Sequence, residues 1–214
     1  MHRLKGLYGV TDSQLQPDDH TLLSTVEQAL LGGMKLLQYR DKSEDHDKRL
    51  RQAGALKVLC HRYQAILLIN DDIELALTVE ADGVHLGQKD ESVAKARERL
   101  GQYAIIGATC EGSLTLAEQA IEQGANYIAF GRFYPSKTTP DANPADMAIL
   151  SQAKQRFNVP IVAIGGITVD NTSHLVEAGA DMVAVVNQLF AAQEVKSRAQ
   201  QFIQAYQHCI TLSS

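Results

Sequence analysis

The chain has 214 residues, 45% of them hydrophobic, and a formal net charge of −5 at pH 7. That length is enough for one large core. The chain is acidic and its Lys and Arg residues do not cluster, which argues against a nucleic-acid partner. No apolar run reaches the roughly 18 residues of a membrane span, and the amino terminus lacks a signal-peptide pattern, so we expect a cytoplasmic protein with no membrane partner.

Short apolar runs alternate with amphipathic segments along the chain, and this pattern predicts alternating strands and helices. The predicted strands are Leu7–Val10, Leu36–Tyr39, Ala65–Ile69, Gly83–Leu86, Tyr103–Ile106, Tyr127–Phe130, Ile161–Ile164 and Met182–Val186. The predicted starts of the third to seventh helices are Asp71 or Asp72, Ser92, a Thr115-x-x-Glu118 capping box as one candidate, Asn143, and Asp170 or Asn171.

Eight strand–helix units of roughly 27 residues each indicate a (β/α)₈ TIM barrel of the α/β class. No linker or low-complexity segment divides the chain, so we expect one barrel domain over residues 1–214. A doubly wound sheet has the same local pattern, but the GxGxxG motif that often follows its first strand is absent here.

Polar residues follow most of the predicted strands, and in a barrel these strand ends form one functional rim. Loops are polar in any case, so composition alone does not establish a site. Two features are more informative: Gly165-Gly166 after the seventh strand, and a helix start after the eighth. Both present backbone N–H groups to an anion, which predicts a phosphate site.

The Gln38-x-Arg40-x-Lys42 motif follows the second strand. If the segment stays extended, the three side chains project in the same direction and offer an amide and two cations to a diphosphate. The alternative is an exposed basic strand end paired with a nearby carboxylate of the same loop.

Asp71 and Asp90 follow the third and fourth strands, which are neighbours in a barrel. Two such carboxylates suit Mg²⁺, although helix capping would also explain either residue. We expect His85 to be a hydrogen-bonded core or rim residue and Cys110 a small buried one. Cys60, Cys110 and Cys209 form no CxxC pair, which predicts reduced thiols and no zinc site.

Together these motifs resemble the thiamine-phosphate synthase family. The similarity runs in register from about residue 6 to residue 190. The segments that carry it are Tyr8–Asp12, Gln38-x-Arg40-x-Lys42, Asn70-Asp71, Gly83–Asp90, Gly131–Thr139, Ile164–Ile167 and Val183–Val186.

The resemblance implies a (β/α)₈ barrel and a transferase of thiamine biosynthesis. It would join 4-amino-5-hydroxymethyl-2-methylpyrimidine diphosphate to 4-methyl-5-(2-hydroxyethyl)thiazole phosphate, giving thiamine phosphate and diphosphate. The implied mechanism is Mg²⁺-assisted loss of diphosphate and capture of a pyrimidine methyl cation by the thiazole nitrogen. The partners are small molecules, and the sequence leaves a homo-oligomer open.

The resemblance also implies a role for each matching residue. The metal ligands would be Asp71 and Asp90, and the catalytic cations Arg40, Lys42 and Lys137. Pyrimidine diphosphate would be bound by Gln38, Tyr39, Arg40, Asp41, Lys42, Asn70, Thr109 and Thr139. Thiazole phosphate would be bound by Ser136, Lys137, Thr138, Gly166, Val186 and Asn187.

Several positions depart from the family pattern, among them Ser136, which replaces a threonine and keeps a hydroxyl. Thr139 stands where the family has a diphosphate-binding lysine, and Thr109 and Asn187 each replace a serine. A weakened diphosphate site leaves two alternatives, a thiazole tautomerase-like homologue and a non-catalytic phosphate-binding barrel. The retained basic and acidic motifs favour the synthase over the tautomerase.

Overall fold

The structure, a computed structural model, describes residues 4–135 and 144–212. Its eight parallel strands close into a barrel in chain order, and the first strand pairs with the last. The strands are β1 Gly6–Val10, β2 Leu36–Tyr39, β3 Ile66–Asn70, β4 Gly83–Leu86, β5 Ile105–Thr109, β6 Tyr127–Phe130, β7 Ile161–Ile164 and β8 Met182–Val185. The predicted (β/α)₈ architecture is confirmed.

Helices connect the strands and form the outer layer. They are α1 Asp19–Leu31, α2 His46–Arg62, α3 Ile73–Thr78, α4 Val93–Leu100, α5 Leu114–Glu122, α6 Ala148–Arg156, α7 Val169–Glu177, α8 Asn187–Phe190 and α9 Val195–Leu212. None of these helices is long and apolar enough to cross a membrane.

The core has two parts because side chains alternate across each strand. One part lies inside the barrel and includes Tyr8, Leu68 and Met182. The larger part lies between the barrel and the helices and includes Leu37 and Leu67. Buried residues on both faces explain why the strands read as continuous apolar runs.

The structure corrects several predicted boundaries. Strand β5 begins at Ile105, and Tyr103, the predicted first residue of this strand, is 90% exposed. Ser113, not Thr115, caps α5, and Thr168 caps α7 in a capping box whose other member is Asn171. Helix α6 begins at Ala148, and its predicted cap, Asn143, lies outside the described residues. Several residues in each of these loops can serve as a cap, and sequence spacing alone does not choose among them.

Candidate active site

A cavity of about 470 Å³ opens at the carboxyl-terminal rim of the barrel. Every strand contributes to it, through its last residues or those that follow. The contributing residues include Val10, Gln38, Asn70, His85, Thr109, Gly131, Ile164 and Ala184. In this fold that rim carries the active site.

The alternation predicted after β2 places Gln38 and Arg40 at the cavity. Lys42, the third member of the motif, bonds the Asp71 carboxylate rather than an acid of its own loop. Gln38 and Arg40 thus line the cavity on one side, whereas Lys42 lies beside Asp71, outside the residues that line it.

Tyr39 and Asp41, the intervening residues, point to α2. The Tyr39 hydroxyl donates to Gln52 Oε1 at 2.8 Å, and Asp41 pairs with Lys48 at 2.9 Å. Burial opposes ionisation of Asp41, but the bonds from Lys48 and Ser43 keep its pKa below the usual value. Neither side chain lines the cavity, so their predicted contact with pyrimidine diphosphate would have to come from the backbone.

Asp71 and Asp90 meet at the ends of β3 and β4. Asp71 Oδ2 accepts from Asn70 Nδ2 at 2.7 Å, and Asp90 Oδ2 accepts from the Gly87 amide at 2.7 Å. Burial raises the pKa of Asp90, and a hydrogen bond with the Asp71 carboxyl raises it further.

Helix capping explains neither carboxylate, because Asp72 caps α3 and Ser92 caps α4. The two carboxylates thus remain available for another role. In the part of the chain that the structure describes, no cluster of three or more His, Cys, Asp or Glu residues could hold a metal. A cation between Asp71 and Asp90 would therefore take its other ligands from substrate or water.

Buried polar groups link Gln38 and Thr109 beneath the cavity. Gln38, which is 4% exposed, donates to the Tyr8 hydroxyl, and the Tyr8 hydroxyl bonds that of Tyr127. His85 bonds Tyr127 through Nδ1 and Thr109 through Nε2, each at 2.8 Å. Burial lowers the pKa of His85 to about 4 and raises those of both tyrosines.

His85 is therefore the hydrogen-bonded residue that the sequence predicts, and Cys110 is fully buried as expected. The two tyrosines were missed. A buried tyrosine needs a partner for its hydroxyl, and that requirement was the available signal in two apolar strands.

The glycines after β7 form the opposite wall of the cavity. Gly165 and Gly166 have φ values of 101° and 64°. A Cβ on Gly165 would collide with Arg132, and one on Gly166 would collide with the Pro135 carbonyl. Their backbone therefore approaches the cavity as only glycine allows.

Val186 and Asn187 line the same wall and begin α8, the predicted helix start after the last strand. Two further charged residues, Glu111 and Arg132, also line the cavity and were not identified from the sequence. The predicted site residues Ser136, Lys137, Thr138 and Thr139 lie outside the described residues.

A family profile and curated relatives match most of the chain and carry the same description. A profile described as thiamine monophosphate synthase matches residues 7–189. A thiamine-phosphate synthase of Alcanivorax borkumensis is 50% identical over 97% of this chain and 96% of its own length. One from Saccharophagus degradans is 52% identical over 92% of this chain and 91% of its own.

A solved structure, the thiamine phosphate pyrophosphorylase of Pyrococcus furiosus, superposes with a TM-score of 0.88. It is 31% identical, and the match covers 97% of this chain and 98% of that one. The solved structure therefore shares the barrel architecture of this chain along nearly its whole length.

Proposed function

Since this chain belongs to the thiamine-phosphate synthase family and is a transferase of thiamine biosynthesis, we propose how its cavity performs the reaction. The substrates are the pyrimidine diphosphate and the thiazole phosphate. The bond from the pyrimidine methylene carbon to the diphosphate oxygen breaks, and a bond from that carbon to the thiazole nitrogen forms. Diphosphate leaves with the electron pair of the broken bond.

The observation that supports this proposal is that one cavity has two walls with different polar groups. Gln38, Arg40, Asn70 and Thr109 offer amides, a hydroxyl and a cation on the side of β2 to β5. Gly165-Gly166 and Val186-Asn187 offer backbone amides on the side of β7 and β8. The first wall suits an aminopyrimidine with a diphosphate, and the second suits a phosphate monoester.

The carboxylates of Asp71 and Asp90 fit a magnesium ion. Burial and the contact with Asp71 disfavour a second negative charge on Asp90, and a dication would remove that penalty. Mg²⁺ held there would supply positive charge to the diphosphate as it leaves. The same two residues suit the metal by ligand type, since Mg²⁺ prefers a few carboxylates together with substrate oxygens.

Arg40 and Lys42 supply the permanent charge at this wall. Arg40 reaches the cavity, and Lys42 lies against Asp71 with its side chain 55% exposed. Their positive charges would stabilise the negative charge that develops on the leaving oxygens, without a proton transfer.

The cavity needs no protein nucleophile. Burial raises the pKa of the Cys110 thiol to about 12, so it stays protonated. The remaining work is to hold the two substrates in line and to keep water from the cation. Val10, Ile164 and Ala184 line the cavity with apolar surface that suits this second task.

Diphosphate release, measured with each substrate alone, with both, and with or without chelator, tests the proposal. We expect release only when both substrates and Mg²⁺ are present. A tautomerase or a binding protein would release none under any of these conditions.

A further inference from the structure

Five polar side chains from five strands form one continuous hydrogen-bonded chain under the cavity, here called the floor chain. In order its members are Gln38, Tyr8, Tyr127, His85 and Thr109. The successive heavy-atom distances are 2.6, 2.8, 2.8 and 2.8 Å. Gln38, His85 and Thr109 line the cavity, whereas Tyr8 and Tyr127 lie below it and are almost fully buried.

The floor chain has one direction of proton donation. Gln38 Nε2 donates to the Tyr8 oxygen. Tyr8 has one hydroxyl proton, and its remaining partner within residues 4–135 and 144–212 is Tyr127, so it donates there. By the same count, Tyr127 donates to His85 Nδ1.

The direction continues through the imidazole. A neutral histidine carries its proton on one ring nitrogen, so acceptance at Nδ1 puts the proton on Nε2. His85 Nε2 then donates to Thr109 Oγ1, and the Thr109 proton is directed elsewhere. Thr109 lines the cavity, where a ligand can accept this proton.

The two ends of the floor chain therefore face the cavity with opposite characters. Gln38 donates an amide N–H to the Tyr8 hydroxyl and keeps its carbonyl oxygen as an acceptor. Thr109 accepts from His85 and keeps its hydroxyl proton as a donor. If the direction of proton donation changed at Gln38 or at Thr109, every hydrogen bond between these two residues would have to reverse.

The packing holds the floor chain in place. The Tyr127 ring stacks on His85 with centroids 5.6 Å apart and meets Tyr8 edge-on at 6.1 Å. Gly107 on β5 leaves the space that the Tyr127 ring fills, since a Cβ there would collide with it.

We propose that Tyr127 is a positioning residue that makes the cavity select an aminopyrimidine over its oxo analogue. This proposal rests on the proposed function, which places the pyrimidine against Gln38 and Thr109. An exocyclic amine donates to Gln38 Oε1 while the adjacent ring nitrogen accepts from Thr109. An oxo analogue has the reverse pattern: its carbonyl faces the Gln38 carbonyl oxygen, and its ring N–H leaves the Thr109 proton without an acceptor.

The test compares kcat/KM for the 4-amino and 4-oxo pyrimidine diphosphates, with diphosphate release as the readout. In the unmodified protein we expect a preference for the amine of ~10³-fold or more, because sites built to hydrogen-bond a substrate group can reject an analogue by ~10⁴-fold. Tyr127→Phe removes the hydroxyl that transmits the direction, so the preference should fall at least tenfold. Tyr8→Phe breaks the chain one bond earlier and should lower the preference as well.

Tyr206→Phe is the matched control, because its hydroxyl donates to the Asp181 carbonyl and, among the described residues, has no hydrogen bond to a member of the floor chain. It should leave the preference unchanged. If Tyr127→Phe and Tyr8→Phe lower kcat/KM equally for both analogues, the tyrosines are structural and the proposal is overturned. A total absence of release from the 4-amino substrate would instead overturn the proposed function and this proposal with it.

Discussion

The floor and the rim of the cavity hold their polar groups in opposite ways. The floor chain is uncharged and hydrogen-bonded from end to end, and all of its members except Thr109 are buried. The rim cluster, defined as Lys42, Asp71 and Asp90, is charged and partly exposed, and burial raises the pKa of Asp90. A fixed pattern of donors and acceptors suits recognition of a ring, whereas adjustable charges suit a diphosphate that arrives, gains charge and leaves.

Removing a carboxylate from the rim cluster should have the largest effect. Asp71→Ala or Asp90→Ala should lower kcat by a few powers of ten, since each charge-stabilising contact of this kind contributes roughly 3 kcal/mol or more. Steady-state diphosphate release measures this loss of kcat. The control is Glu118→Ala on the outer surface, which should keep its activity. Full activity of both variants in the presence of chelator would contradict the metal assignment.

A side chain at position 166 should affect the binding of one substrate and not the other. Gly166→Val places a branched residue at a φ of 64° and against the Pro135 carbonyl, a strain of about 1–3 kcal/mol. Relief of that strain would displace the backbone amides of this wall, so the KM for thiazole phosphate should rise roughly ten- to a hundredfold, with little change in that for pyrimidine diphosphate. Gly54→Val, where a Cβ meets no atom within 4 Å, is the control. A symmetrical loss would mean that the two phosphate sites are misplaced.

Acid should lower the free energy of unfolding through His85 of the floor chain rather than through the rim cluster. Burial depresses the pKa of His85 from 6.5 to about 4, so the unfolded chain takes up a proton before the folded chain does. His85 thus contributes stability that is present above pH 6.5 and is lost as the pH falls towards 4. Between pH 7 and pH 5 the loss amounts to about 2 kcal/mol.

Urea unfolding of the unmodified protein and of His85→Gln across this pH range measures that contribution. The difference in unfolding free energy between the two proteins should shrink by about 2 kcal/mol as the pH falls to 5. A constant difference would show that His85 is not held neutral in the fold.

A lysine at position 139 should change kcat by the smallest amount. A charge-assisted bond is about twice as strong as the neutral one a threonine offers, a gain on the order of 1–2 kcal/mol. Thr139→Lys should then raise kcat roughly five- to thirtyfold, because the benefit appears as charge develops on the diphosphate.

The same position tests whether Lys137 supplies part of the missing charge. Lys137→Ala should slow the present protein more than it slows the Thr139→Lys variant, a coupling that a double-mutant cycle measures. If Lys137→Ala is silent in both backgrounds, the compensation is refuted.

Much of the fold could be predicted from the sequence because its signals are local. Strands β2, β4, β6 and β7 have the predicted bounds, since each is a short apolar run with clear flanking residues. The alternation after β2 also predicted that Gln38 and Arg40 share a side. The helix starts were less reliable, because neighbouring polar residues compete to cap them.

The floor chain could not be predicted in the same way. Tyr8 and Tyr127 are 119 positions apart, and only closure of the barrel brings their hydroxyls together. The same limit applies to Arg132 and Glu111, whose place at the cavity depends on how the loops after β5 and β6 fold. Sequence patterns show which residues lie at strand ends, and packing decides which of them meet.

A crystal structure with thiamine phosphate, diphosphate and Mn²⁺ in place of Mg²⁺ would test the central claim most directly, since anomalous scattering locates the metal. We predict a metal ion bound by Asp71 and Asp90 and shared with a diphosphate that lies beside Arg40. The aminopyrimidine should lie between Gln38 and Thr109. The thiazole phosphate should accept from the Gly166 amide. A metal bound elsewhere, or the two phosphate groups in exchanged positions, would contradict the account.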